Sequence, residues 1–274
     1  MSAVNSVLRA TFDLLLSPFR SLPPIVGLLV VSLAVSILML LVFKKTSNQR
    51  RLEAVKRQIH ASLFEIRLFS DDLPAILRAQ AEILRHNLEY LGLSAVPMLV
   101  MLVPLVFVIA QLQFHYGYRG LRPSEDFLVK VQLKEGQAPT RPAAALEAPA
   151  GLAVVTPAVW IPSERELAWR LRAERWGDYE LKLRLDGQEY AKTAQVSEAV
   201  RRRSPARLEP TFLNQLLYPA EDALPAESPV ASIALTYPED DVSVFGWHVN
   251  WLVAFFLLSV AFAFALRRRL GVTL

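Results

Sequence analysis

The sequence predicts an α-helical membrane protein: three transmembrane helices and a cytoplasmic antiparallel coiled hairpin, with an all-β, sandwich-like extracytoplasmic domain inserted before the last span. Three observations carry this reading. Hydrophobic residues fill 53% of the 274 positions and gather into three uncharged blocks instead of spreading along the chain. The stretch between the first two blocks is basic and repeats apolar residues at helical steps. The stretch between the second and third alternates apolar with polar residues, as half-buried strands do.

Residues 1–22 come first. Val4, Val7, Leu8, Phe12, Leu15 and Phe19 fall near one helical face. This describes an interfacial helix on the outer leaflet; a frayed extension of the first span is the alternative. The first span occupies 24–43, opening at Pro23-Pro24 and running uncharged from Ile25 to Phe43. It is too long for the apolar core of a cleaved signal and is followed by Lys44-Lys45, so it reads as an anchor. The second and third spans occupy 93–112 and 249–266, each near the ~20 residues that cross ~30 Å of hydrocarbon.

The basic residues set the orientation. Arg9 and Arg20 precede the first span, whereas Lys44, Lys45, Arg50, Arg51, Lys56 and Arg57 follow it. The richer side is expected in the cytoplasm, which puts the N-terminus outside and the tail 267–274, with Arg267-Arg268-Arg269, inside. Phe114, Tyr116, Tyr118, Trp247 and Trp251 would mark the outer interface. The compact basic flanks and absent cysteines suggest a bacterial inner (cytoplasmic) membrane; an archaeal membrane would look much the same.

Residues 47–91 form the predicted hairpin. Leu52, Val55, Ile59, Leu63 and Ile66 make one stripe, and Leu77, Ala81, Leu84, Leu88 and Leu91 the other. Asp71 or Asp72 can cap the second arm, with Pro74 in its first turn. Arg50, Arg51, Lys56, Arg57, Arg67, Arg78 and Arg85 make the outer face basic. Such a face suits a solvated surface obeying the positive-inside rule, or contact with anionic lipid or an RNA-rich surface.

Residues 119–245 are the predicted β domain. Strands are expected around Phe127 to Leu133, Leu167 to Leu171, Tyr179 to Leu185 and Tyr190 to Val196, with Asp186-Gly187 as a tight hairpin turn. Ile233 and Leu235 are expected in a last strand leading into the third span. Pro139 to Pro149 reads as a Pro/Ala loop, Glu209 to Leu217 as a short helix, and Arg201-Arg202-Arg203 as an exposed loop.

The sequence shows no catalytic constellation. His60, His86, His115 and His248 lie far apart, and no metal-ligand spacing, phosphate-cradling loop or nucleophile elbow is present. No catalytic residue, metal or cofactor is therefore assigned, and no enzyme is expected. No span carries an ionisable residue at its centre, which weakens a pump or channel reading.

The order of parts is distinctive, as is the segment from Asn87 to Pro104, where Pro97-Met98 is followed a heptad later by Pro104. It resembles the YidC-type membrane insertase superfamily, most closely its three-span archaeal and endoplasmic-reticulum branch, over roughly residues 20–115 and the last span. The resemblance implies an insertase or membrane chaperone for nascent membrane proteins, in contact with the lipid bilayer and the ribosome. Groove-lining candidates are Ser32, Ser36, Thr46, Ser94, Pro97, Met98, Met101 and Pro104. Two features depart from that branch: no positive residue lies inside a span, and the outer connection holds a β domain. A membrane-anchored binding or scaffold protein is the rival reading, its β domain meeting an extracytoplasmic partner.

Overall fold

The computed structural model describes residues 2–69, 71–135, 141–244 and 246–272. The chain forms two compact units, Met1–Gly27 with Phe107–Ala254, and Leu28–Val106 with Phe255–Leu274.

In the first unit, alternation along the strands builds two sheets over one core. A six-stranded antiparallel sheet holds β1 (Asp126–Leu133), β3 (Leu152–Val154), β4 (Val159–Ile161), β5 (Glu166–Ala173), β8 (Ala206–Leu208) and β9 (Val230–Leu235), in the order β3-β5-β1-β9-β8 with β4 also on β5. A three-stranded sheet runs β2 (Ala144–Glu147), β6 (Gly177–Leu185), β7 (Gln188–Val196). Val129, Val131, Leu167 and Leu171 from one sheet share a buried cluster with Leu181, Leu183, Leu185 and Ala194 from the other. The turn between β6 and β7 is the two-residue one expected, with Leu185 opposite Gln188 and positive φ at both Asp186 (46°) and Gly187 (83°).

Three expectations for this unit are corrected. Within the Pro/Ala segment, Ala144–Glu147 is a strand, because pairing with β6 supplies its hydrogen bonds whatever the weak β-propensity of alanine; Pro139 and Thr140 lie outside the described residues. β9 does not lead directly into the last apolar helix: a hairpin of β10 (Asp241–Val244) and β11 (Trp247–Asn250) intervenes. Val249 and Asn250 therefore leave the expected span, and the Asn250 side chain accepts from Leu252 N at 3.0 Å to start the helix. Third, Arg203 is not an exposed loop residue. It is 3% exposed, and its guanidinium donates to the carbonyls of Tyr118 (2.7 Å) and Ala199 (2.7 Å).

Helix α1 (Ser2–Leu16) also belongs to this unit, followed by a 3-10 turn at Ser17–Phe19. Its buried face is Asn5, Phe12 and Leu16; Val4, Val7, Leu14 and Leu15 stand exposed. The sequence grouped Val4 and Val7 with Phe12, but the polar contacts of Asn5, Arg9 and Asp13 turn the helix. Asn5 donates to the Gln215 carbonyl of the short helix α5 (Phe212–Leu217), and Arg9 pairs with Asp222. Of the aromatics expected at an interface, Phe114, Tyr116 and Trp251 are buried and Trp247 is exposed.

The second unit is helical. It contains most of α2 (Pro24–Thr46), all of α3 (Gln49–Leu68), the first part of α4 (Leu73–Tyr116) and most of α6 (Trp251–Leu266). Asn48 caps α3 by accepting from Arg51 N at 3.1 Å, and Asp72 caps α4 by accepting from Ala75 N at 3.2 Å. α2 and α4 are long and apolar enough to cross a bilayer; α6, at 16 residues, is apolar and shorter. The hairpin arm and the second span, bounded separately at 91 and 93, are continuous. α4 is one helix of 44 residues that carries Gly92, Pro97 and Pro104 in its interior. A single glycine weakens a helix by ~1 kcal/mol, too little to stop one so well supported on either side.

Candidate functional site

α4 contains two heptad stripes, and the sequence reading chose the one that faces outward. Against α3 the helix presents Ile76, Ala79, Ile83, His86 and Tyr90, with Ala79 only 1% exposed. Its partner stripe on α3 is Leu52, Val55, Ile59, Ser62 and Ile66, so Ser62 takes the place expected of Leu63. Two polar contacts fix this antiparallel register: Arg51 Nε donates to Glu89 at 2.7 Å, and Ser62 Oγ donates to Glu82 at 3.4 Å. Leu77, Leu84, Leu88 and Leu91 remain between 57% and 63% exposed. Charge decides between the stripes, since an inward leucine stripe would have turned Glu82 and Glu89 away from Ser62 and Arg51.

Ser32 and Ser36 sit in the interior of the helical unit, at 0% and 2% exposure. Ser36 Oγ lies 2.6 Å from the Ser32 carbonyl and 2.9 Å from that of Ser259 on α6, so it bridges two helices. Ser94 is also buried. Among the described residues, the hydroxyls of Ser32, Ser94 and Ser259 have no hydrogen-bond partner. Thr46 is exposed at the end of α2, its hydroxyl donating to the Val42 carbonyl at 2.8 Å.

Pro97 is buried and Pro104 half-buried. Each removes one backbone donor, leaving the carbonyl four residues earlier without its helical bond. Met98 is 62% exposed, whereas Met101 packs against the buried cluster of Leu40, Phe43, Leu52 and Val272. Neighbouring Val96, Leu99 and Val103 are also more than half exposed, so this length of α4 is an open apolar surface.

The basic residues do not form one continuous face. Arg57, Arg67, Arg78 and Arg85 are exposed; Arg50 is also exposed, and Arg51 is paired with Glu89. Lys56 lies 5.5 Å above the Tyr90 ring; partial burial, with Arg267 nearby, holds its ammonium below the usual lysine value. Lys44 donates to the Leu270 carbonyl at 2.6 Å, closing the chain end onto α2.

The first unit holds two polar networks that the sequence did not reveal. His115 Nδ1 meets the Gln111 carbonyl at 2.9 Å and its Nε2 meets Asp13 at 3.2 Å, with Arg202 on the other Asp13 oxygen at 3.1 Å. Burial raises the Asp13 pKa, but the His115 hydrogen bond and the Arg202 charge outweigh it and leave the carboxyl below its usual range. Lys192, 1% exposed, donates to Glu221 at 2.6 Å, to the Ser204 carbonyl at 2.7 Å and to Ser204 Oγ at 3.1 Å. Burial likewise raises Glu221, and the adjoining ammonium more than offsets it, so this carboxyl also lies low. The partners are far apart in sequence; the only local signal was a lysine at an inward position of an alternating strand. A cavity of about 300 Å³ beside Glu221 is lined by Asn5, Arg9, Tyr218 and Asp222.

Comparison with known proteins gives no family: no family model matches this chain, and no curated protein matches it.

Proposed function

We propose that this chain is a YidC-type membrane insertase or membrane chaperone that assists nascent hydrophobic segments into the bilayer. The observation that carries the proposal is α4 itself: one unbroken helix joins a charged hairpin arm to an apolar span and exposes Met98 among prolines. In this reading α2, α4 and α6 are three spans of a bacterial inner-membrane protein. The N-terminus lies outside, the hairpin meets the ribosome, and α1 lies on the outer leaflet.

Three features support the mechanism. Methionine gives an adaptable apolar surface suited to varied segments. Pro97 and Pro104 leave backbone carbonyls open to a passing polar group. Ser32, Ser94 and Ser259 carry buried hydroxyls without a partner, and a polar group so placed in hydrocarbon costs several kcal/mol until it meets a polar partner. A charged flank at the bilayer centre costs about 2.5–3.5 kcal/mol, and such groups would lower that barrier.

One observation favours the rival reading of an anchored β-sandwich that binds an extracytoplasmic partner. Ser36 bonds directly to α6 and is sealed from solvent, as helix-packing serines are. The two readings separate by photocrosslinking to stalled nascent membrane proteins. A probe at Met98 should give substrate adducts and one at buried Ser36 should give far fewer. No adduct from either Met98 or Met101, in a stable protein, would sink the insertase. Deleting residues 125–240 should leave partial insertion under the first reading and none of the function under the second.

A further inference from the structure

Leu77, Ala81, Leu84, Leu88 and Leu91 recur at steps of four and three residues, the 3.5-residue repeat of a left-handed coiled coil. All five are exposed, the leucines by more than half. Arg78, Glu82, Arg85 and Glu89 share these turns, so this part of α4 lies in water, where a leucine stripe this long is a docking surface. The stripe runs over 14 residue steps, about 21 Å at 1.5 Å per residue.

We propose that its occupant is the same stripe of a second copy of this chain, the two α4 helices lying parallel as a two-stranded coiled coil from Leu77 to Leu91, short of Met98. Four observations select a second copy. A passing hydrophobic segment needs only an apolar surface, whereas a strict 3.5-residue repeat serves an equally periodic helix. Leucine at Leu77, Leu84 and Leu91 takes the position of the heptad where leucine favours two strands. Anchored copies share one direction and one depth, which sets Leu84 against the partner's Leu84 without further adjustment. The flanking residues also fit only the parallel arrangement. There Gln80 meets the partner's Arg85 and Asn87 meets the partner's Gly92, whereas an antiparallel pair would bring Arg78 and Arg85 against each other's copies. At Gly92 an added Cβ would meet nothing within 4 Å in the chain, so this side is open to a neighbouring backbone. The proposal rests on α4 being membrane-anchored and is independent of insertase activity.

The chain has no cysteine, so single-cysteine variants test this directly in native membranes treated with an oxidant. Leu77→Cys, Leu84→Cys and Leu91→Cys should each give a disulfide-linked dimer of twice the chain mass. Arg57→Cys, exposed on α3, should give several-fold less. Adding Leu84→Lys and Leu88→Lys to the Leu77→Cys chain should abolish the dimer while the thermal transition of the chain stays in place. The proposal is overturned by no link at any of the three positions, by equal linking at Arg57→Cys, or by adducts with a protein of different mass.

Discussion

In the β unit, Val131, Leu167 and Leu183 are sealed between two sheets, and a lysine sits in the interior with its donors paired. In the helical unit, Leu84, Leu88 and Met98 stand more than half exposed. The β unit pairs Lys192 with Glu221 and covers the facing sides of its own two sheets. The first leaves little of its strand leucines exposed, whereas the second leaves a leucine stripe that its own helices do not cover.

Breaking the Lys192–Glu221 contact should have the largest effect on this contrast. Lys192→Ala leaves a carboxylate buried and unpaired, a loss of about 3–5 kcal/mol, read as a lowered thermal transition of the purified chain. A transition unchanged within error would mean that the β unit does not depend on its internal charge. Leu52→Ala tests the helical unit at a place where it is closed. The residue is 0% exposed in the cluster beneath the hairpin, and its truncation should cost about 2–5 kcal/mol.

The loss of stability in acid should lie in the β unit. Asp13 and Glu221 are both held below their unfolded values near 4, so their stabilising contribution is complete above that range and is lost as pH falls through the lower folded values. Acid titration followed by tryptophan fluorescence should show this loss, and Glu221→Gln should reduce it. The smallest effect belongs to the outer stripe. Leu84→Ala should change the thermal stability of the isolated chain by no more than about 0.5 kcal/mol, since its side chain is 63% exposed. A loss comparable to that of Leu52→Ala would place Leu84 inside the hairpin and erase the distinction between the two stripes.

Those stripes also mark how far the sequence could be read. The longer strands β1, β5, β6, β7 and β9 were legible because period-two alternation leaves one choice of buried face, and Asp186-Gly187 pinned a register. The α4 arm offered two faces of the same period, and leucine content pointed to the wrong one. What decided between them was a pair of cross-helix contacts, Arg51 with Glu89 and Ser62 with Glu82, that no local pattern announces. Arg203 was misread for a similar reason: three consecutive arginines look like a solvated loop until the carbonyls that bind the third are brought together by the fold. The apolar blocks themselves were plain, but not the continuity of α4 through Gly92, because a glycine at a change of composition looks like an end.

That continuity has a mechanical consequence. A helix of 44 residues extends about 66 Å, and beyond its first turn backbone donors are missing only at Pro97 and Pro104. The arm and the apolar segment therefore form one lever. Whatever presses on the leucines at one end is delivered as a tilt at Pro97, with no slack in between to absorb it. Paired spin labels at Leu77 and Leu91 should keep a fixed separation when the arm is loaded, and a pair straddling Pro97 should not.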